Sequence, residues 1–324
     1  MLTKRQLKIR LRKVMASSAA ALLERHPYVS RFEAWAQAMG LAEGPEYSDA
    51  MRMGDVLEAT LVKEAARRLG WPKKVRKMGT VFHQNHLWAG CTPDGVKCSN
   101  GEFIGMQVKN SGIHMAKGYQ GQPGEGGEWD NDLIPAYHNF QCQWEMFVMN
   151  ANSWHLVVYF GGADFRIYNL RRDADLIQLM SENLWKFWLE HIDPDGPQTE
   201  PLADGGAGTG DFLRRRHPKN DGNLLPPSDE HYDLAERYRS LGARVKENEK
   251  ARDGVKHQLM QAIGAADGIE GVCTWKLTSP KPKTDWKGVA GEFEGDPDYQ
   301  AFFYDHTTTP DGNRTFRIST SKEA

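Results

Sequence analysis

The sequence predicts an α/β fold, a central mixed sheet flanked by helices, with a C-terminal extension that is helical and then β. Two observations predict it. Runs of strand length, apolar or alternating, occur at 78–90, 103–109, 154–160 and 165–170. Stretches with helical period lie between and after them, at 49–69, 135–150 and 173–191.

Composition narrows the class. In 324 residues, hydrophobic content is 40% and charged content 26%, as expected of a globular chain. Net charge is −2, so nucleic acid would have to be met by local patches, not a global basic field. The four cysteines, Cys91, Cys98, Cys142 and Cys273, are unevenly spaced, which fits no disulfide framework and suits a reducing compartment. No apolar run reaches the length of a membrane span, and no signal peptide or internal repeat is evident.

Taken in order, residues 4–13 carry Lys4, Arg5, Lys8, Arg10, Arg12 and Lys13, a solvated helix face or a set of phosphate contacts. Ala16-Ser17-Ser18 is expected to precede a helix over AAALLERH, with serine as its N-cap and free N–H groups beside arginine. The helix at 49–69 has Leu57, Leu61, Val62, Ala65 and Leu69 as its apolar stripe. Glu58 lies at the stripe's edge, and Gly54 is read as a point of close backbone approach. His83, His86, Cys91 and Cys98 match no standard zinc finger spacing. Residues 111–134, with Glu125, Glu128, Asp130 and Asp132, read as a Gly-rich loop, and as a lid if functional. In the helix at 135–150, Gln143 is expected to be exposed. Residues 154–160 and 165–170 form a hairpin, and 173–191 an amphipathic helix. We divide the chain into a domain at 1–192, a linker at 193–228, and an extension at 229–324. That extension is a long helix over 229–263 followed by a small β-rich end, with Trp275, Trp286 and Phe302 as a minor core. GGAGTG in the linker has no preceding strand and no following Lys-Ser/Thr pair, so it is no phosphate loop. Arg214-Arg215-Arg216 either touches DNA or is solvated.

Cys91 to Asn110 organises the rest. It reads as two strands joined by a turn at Thr92-Pro93-Asp94-Gly95, with Asp94 at the end of the first strand. Gln107 and Lys109 project to one face of the second strand, and Val108 to the core. An acid, a second ligand position and a lysine at strand ends fit a metal-dependent phosphodiesterase site; the alternative is a surface hairpin with ordinary polar residues.

The order of a helix with Glu58, two strands up to Asp94, a strand with Gln107-Val108-Lys109, a helix with Gln141 and a last strand resembles the αβββαβ core of PD-(D/E)xK nucleases. More closely, residues 9–190 resemble the YqaJ-like viral recombinase and phage lambda exonuclease family. Five blocks carry the resemblance in the family's order. They are RLRKVMAS from Arg10 to Ser17, SRFEAW at 30–35, Gly54-x(3)-Glu58, Thr92-Pro93-Asp94-Gly95, and Gln141-x-Gln143.

The resemblance implies a 5′→3′ exonuclease on duplex DNA ends that leaves 3′ single-stranded overhangs for recombination. It implies Mg²⁺, replaceable by Mn²⁺, held by Asp94, position 107, the Val108 carbonyl and Glu58. Lys109 would orient water and stabilise phosphate charge, and Gln141 would position metal-bound water or the scissile strand. Arg10, Ser17 and Thr92 would grip a 5′-phosphate, with Arg12 and Lys13 as further DNA contacts. A homotrimeric ring, a single-strand annealing partner and a phage or prophage origin in a bacterial cytoplasm follow from the same resemblance. One departure stands out: the family has Glu where this chain has Gln107. An amide offers one carbonyl oxygen and no charge, so metal affinity should fall. The chain is therefore expected to be inactivated at this position, either naturally or by a deliberate substitution that traps substrate, the second being favoured. The rival readings are another PD-(D/E)xK nuclease and a catalytically inactive module that binds DNA ends.

Overall fold

The computed structural model describes residues 3–42, 48–71, 75–99, 101–112, 129, 133–278, 283–293, 295–297, 299–307 and 316. The chain forms two compact units, Met1–Arg216 and His217–Ala324.

The first unit runs α1 (Lys4–Arg10), β1 (Val14–Met15), α2 (Ala16–Leu22), α3 (Arg31–Ala38), α4 (Asp49–Arg68), β2 (Val81–Phe82), β3 (Ala89–Cys91), β4 (Gly95–Ser99), β5 (Glu102–Ser111), α5 (Ala136–Met149), β6 (Ser153–Phe160), β7 (Asp164–Arg171), α6 (Ala174–His191) and α7 (Ala207–Arg216). The central sheet has the order β4-β5-β6-β7. Its outer pairs are antiparallel, and β5 and β6 run parallel with α5 as the crossover. A smaller sheet, β1-β3-β2, lies beside it.

The central sheet is covered on both faces. Trp154, Leu156, Val158 and Phe160 join the core formed with α2 and α5, including Trp144 and Met146. Met106, Val108 and Val157 meet Val62, Ala65 and Ala66 of α4, together with Trp71. That is the period-two alternation of β6 feeding two cores. One close packing fixes a residue type: a Cβ on Gly105 would lie 2.1 Å from the Trp154 ring.

Caps explain the helix boundaries. Ser48 accepts from Met51 N–H to start α4, and Asp173 from Leu176 N–H to start α6. Asn150, with φ +49°, ends α5 in the left-handed conformation.

Several expectations change. Thr92–Gly95 is not the hairpin turn. β3 ends at Cys91 in the small sheet, Asp94 sits in the link, and β4 starts at Gly95 in the central sheet. The hairpin closes instead between Ser99 and Glu102, which pair with each other, and Gly101 there has φ +81°. Ser17 and Ser18 do not cap α2, because Met15 is the N-cap and both serines lie in its first turn. A Cβ on Gly54 would meet open space, so nothing packs closely there. Gln143 is buried, not exposed; it donates to the Arg171 carbonyl at 2.9 Å and accepts from Asp173 N–H at 3.0 Å, joining α5 to the end of β7. The stretch taken as a linker contains α7, and the first compact unit runs on to Arg216. The physical cause is Asp204, which bonds Phe32 N–H at 3.0 Å and Thr209 Oγ1 at 2.6 Å and so ties α3 to α7. Most of the expected lid, 113–128 and 130–132, lies outside the described residues.

In the second unit, α8 (Asp229–Ile263) starts on a Ser228 capping box. β8 (Gly268–Ile269) and β9 (Cys273–Thr274) form a two-stranded ribbon, followed by α9 (Trp286–Phe293) and α10 (Gln300–His306). The β-rich end is thus mainly short helix among the described residues. Trp275 and Trp286 are 48% and 74% exposed, so they form no minor core; the Phe302 side chain lies outside the described residues.

Candidate active site

Strand register builds the site. The last β4–β5 pair is Gly95↔Met106, and Asp94 N–H donates to the Met106 carbonyl at 3.2 Å. Asp94 therefore stands opposite Gln107, and directly opposed antiparallel residues share a face. Lys109, two residues on, shares it as well. Above that face, α5 presents Gln141 and Glu145, one helical turn apart.

Hydrogen bonds join these groups. Asp94 Oδ2 accepts from Gln107 Nε2 at 2.7 Å and from Val108 N–H at 2.8 Å. Lys109 Nζ donates to Gln141 Oε1 at 2.9 Å, and Gln141 Nε2 donates to Glu145 Oε1 at 3.2 Å. All five side chains line one cavity of about 500 Å³.

The cavity is rich in acid, with Asp55, Glu58, Asp94 and Glu145 among its lining residues. Burial raises the Asp94 carboxyl to about 6; the Glu58 charge adds to this, while Val108 N–H, Lys109 and Lys77 oppose it. Glu145 is 1% exposed. Burial and then the Asp94 charge push its carboxyl up to about 8, against Lys109 and Gln141. Gln107 Oε1 and Glu145 Oε2 are both buried without a hydrogen-bond donor. The Trp154 indole acts weakly on the Glu145 carboxylate, but its N–H makes no hydrogen bond of ordinary geometry.

The structure brings Arg10, Ser17 and Thr92 to the same cavity. Arg10 Nη2 donates to Ser17 Oγ at 2.9 Å and Nη1 to Thr92 Oγ1 at 3.4 Å; Thr92 also meets the Thr80 hydroxyl at 3.2 Å. Burial lowers the Arg10 pKa, the mark of a guanidinium drawn out of water. Arg12 and Lys13 are not among the lining residues. Arg12 has φ +59° and donates to Gln198 Oε1 at 2.7 Å, and the Lys13 ammonium lies 5.8 Å from the Phe82 ring centre. The chain turns at Arg12, which sends these two cations elsewhere.

Glu58 reaches the cavity from α4, where its carboxylate accepts from Lys77 Nζ at 2.5 Å. Lys77 is 69% exposed, and an ion pair this open contributes only ~0–1 kcal/mol, so Glu58 is easily released. Sequence reading missed both Lys77 and Glu145. Glu145 had a signal: it is the sole acidic residue in α5, with no lysine or arginine in that helix to pair with.

Among the described residues, no three His, Cys, Asp or Glu side chains converge as a ready metal cluster. Position 107 is an amide, and Glu58 is turned to Lys77. The oxygens that are present nevertheless fit a hard divalent cation. Asp94 supplies charge, and Gln107 Oε1 is an orphaned buried acceptor. The N–H and C=O of one strand residue leave on the same side, so the Val108 carbonyl follows its N–H towards Asp94.

A helix-flanked mixed sheet with this Asp, amide and Lys set at one strand end is a PD-(D/E)xK-type core. Residues 6–152 match the YqaJ-like viral recombinase domain. Among solved structures, an alkaline exonuclease (LHK-Exo) from Laribacter hongkongensis is similar at 19% identity and TM-score 0.42, over 57% of this chain and 90% of that one. Its complex with dAMP is similar at 19% identity and TM-score 0.43, over 57% and 90% of the two chains. A phage related exonuclease from Haemophilus somnus 129PT is similar at 13% identity and TM-score 0.41, over 54% and 93%. No curated protein sequence matches the chain.

Proposed function

We propose that this protein is a metal-dependent exonuclease that degrades duplex DNA from 5′-phosphorylated ends in the 5′→3′ direction. The product would be a 3′ single-stranded overhang for recombination by strand annealing. One observation carries the reading: Asp94, Gln107, Lys109 and Gln141 line one cavity with the Arg10–Ser17–Thr92 cluster.

Asp94, Gln107 and the Val108 carbonyl would hold Mg²⁺ or Mn²⁺, with Glu58 joining directly or through water. The bound cation would polarise the phosphoryl oxygen and the attacking water. Lys109 donates towards phosphate oxygen and water, so it offsets charge as it develops. Gln141 holds Lys109 at 2.9 Å and fixes where that ammonium points. Arg10 offers a planar fork of donors to a terminal phosphate dianion, with the Ser17 and Thr92 hydroxyls beside it. Position 107 brings an oxygen but no charge, so the strand residues alone would hold the cation more weakly than with a glutamate there. By the family resemblance we infer a homotrimeric ring, an annealing protein as partner, and a phage or prophage origin with action in the bacterial cytoplasm. Among the described residues, no helix is long and apolar enough to cross a membrane.

The test is digestion of linear and circular duplexes in Mg²⁺ or Mn²⁺, the linear ones carrying either 5′-phosphate or 5′-hydroxyl. The parent protein is expected to degrade linear DNA alone and to prefer the phosphorylated end. Arg10→Ala should lose most of that preference. Equal cutting of circles, or equal loss by Arg10→Ala on both kinds of end, would overturn the end-directed reading.

A further inference from the structure

We propose that Glu145 of α5 supplies the second carboxylate of the cation site, in place of the one that position 107 lacks. The inference rests on the nuclease reading above and assigns one residue within that site.

Three observations carry it. First, Glu145 lines the same cavity as Asp94, Gln107 and Lys109 although it comes from a different element. Second, Glu145 Oε2 and Gln107 Oε1 are both buried without a hydrogen-bond donor, and both belong to residues that line that cavity. Buried acceptors left unpaired are costly, and a cation would satisfy them. Third, no Lys or Arg is hydrogen-bonded to Glu145; the groups that act on its carboxylate as donors, the Gln141 amide and more weakly the Trp154 indole, are both neutral. A buried carboxylate that served only to stabilise the fold would be paired.

The charge count follows. A strand glutamate at 107 beside Asp94 would give two carboxylates; glutamine leaves one. Glu145 restores two, reaching the cavity from the helix above. A cation held there would take the place of the Gln107 N–H now bonded to Asp94 Oδ2, and Gln107 would offer it a neutral amide oxygen. On this account Gln107 belongs to an active site that has relocated a carboxylate, not to an inactivated one.

The experiment is Mn²⁺ binding by calorimetry on DNA-free full-length protein at pH 8, with DNA cleavage measured in parallel. The proteins are the parent, Asp94→Ala, Glu145→Gln, Gln107→Glu, and the exchange Gln107→Glu with Glu145→Gln. Glu145→Gln is expected to weaken Mn²⁺ by about tenfold or more and to lose cleavage to match. The exchange protein should regain both, because the carboxylate returns to the strand. If Glu145→Gln binds Mn²⁺ within about twofold of the parent while Asp94→Ala does not bind, the assignment of Glu145 is wrong and the nuclease reading stands. If the exchange protein binds no better than Glu145→Gln, the assignment is likewise wrong. If the parent and Gln107→Glu both bind Mn²⁺ but neither cuts DNA, the nuclease reading fails and Glu145 is judged on binding alone. Should Glu145→Gln fail to fold, the exchange protein and Gln107→Glu give the comparison: weaker Mn²⁺ binding by the exchange protein supports the assignment, and equal affinity in the two overturns it.

Discussion

At the scale of the residue, the metal-free protein carries a large pH liability at Glu145. Its folded carboxyl sits near 8, above the ordinary carboxylate value. A raised pKa stabilises the fold below the ordinary value, and that contribution is lost as pH rises through the folded value. The relevant window therefore runs from about pH 4.5 to about 8. Asp94, raised to about 6, acts in the same direction through the lower half. In divalent-free buffer, Glu145→Gln should match the parent near pH 5. It should be the more stable protein at pH 9, by on the order of a few kcal/mol at ~1.4 kcal/mol per pKa unit. Urea unfolding at the two pH values reads this directly, and a stability gap that does not grow with pH would refute it. The same residue marks a limit of sequence reading. Asp94, Gln107, Lys109 and Gln141 stood in a recognisable spacing, whereas Glu145 matched no block. Only its isolation set it apart, as the one acid in a helix without lysine or arginine.

At the scale of the element, the long helices were legible and the short strands were not. α4, α5, α6 and α8 fall within a residue or two of their expected bounds because caps and apolar period are local signals. β1 and β2 are two residues each and exist only through pairing with β3, a non-local fact. The turn at 92–95 was misread for a related reason. Pro-Asp-Gly signals a turn locally, but which strands it joins depends on the sheet each enters. Two glycines now separate packing from propensity. Gly105→Ala drives a Cβ into the Trp154 ring and should destabilise by about 1–3 kcal/mol or more. Gly54→Ala, in open space on α4, should stabilise by about 0.5–1 kcal/mol. Thermal unfolding of both proteins checks the pair, and equal shifts of one sign would contradict the packing described.

At the scale of the whole molecule, every residue of the candidate site lies within Met1–Arg216. A protein ending at Arg216 is expected to unfold in a single cooperative transition and to keep Mn²⁺ binding. Ending it at 192 would remove α7 and the Asp204 bonds that join it to α3, lowering stability by about 1–3 kcal/mol. Equal stability of the two truncated proteins in urea would show that the 193–216 segment adds nothing.

The β4–β5 register has a consequence for how such a chain can change length. Asp94 faces Gln107 because the register runs without a break from Ser99↔Glu102 to Gly95↔Met106. Strand side chains alternate with period two, so phase matters within the strands and not at the tip. Residues added at 100–101 lengthen the loop and leave the acid facing the amide. One residue gained or lost inside β4 puts a different residue opposite Gln107 and turns Asp94 to the far face of the sheet. Frame-preserving insertions and deletions are therefore tolerated at the hairpin tip and selected against along its arms. Homologues should vary in length at 100–101 while the spacing from Gly101 to Lys109 stays fixed.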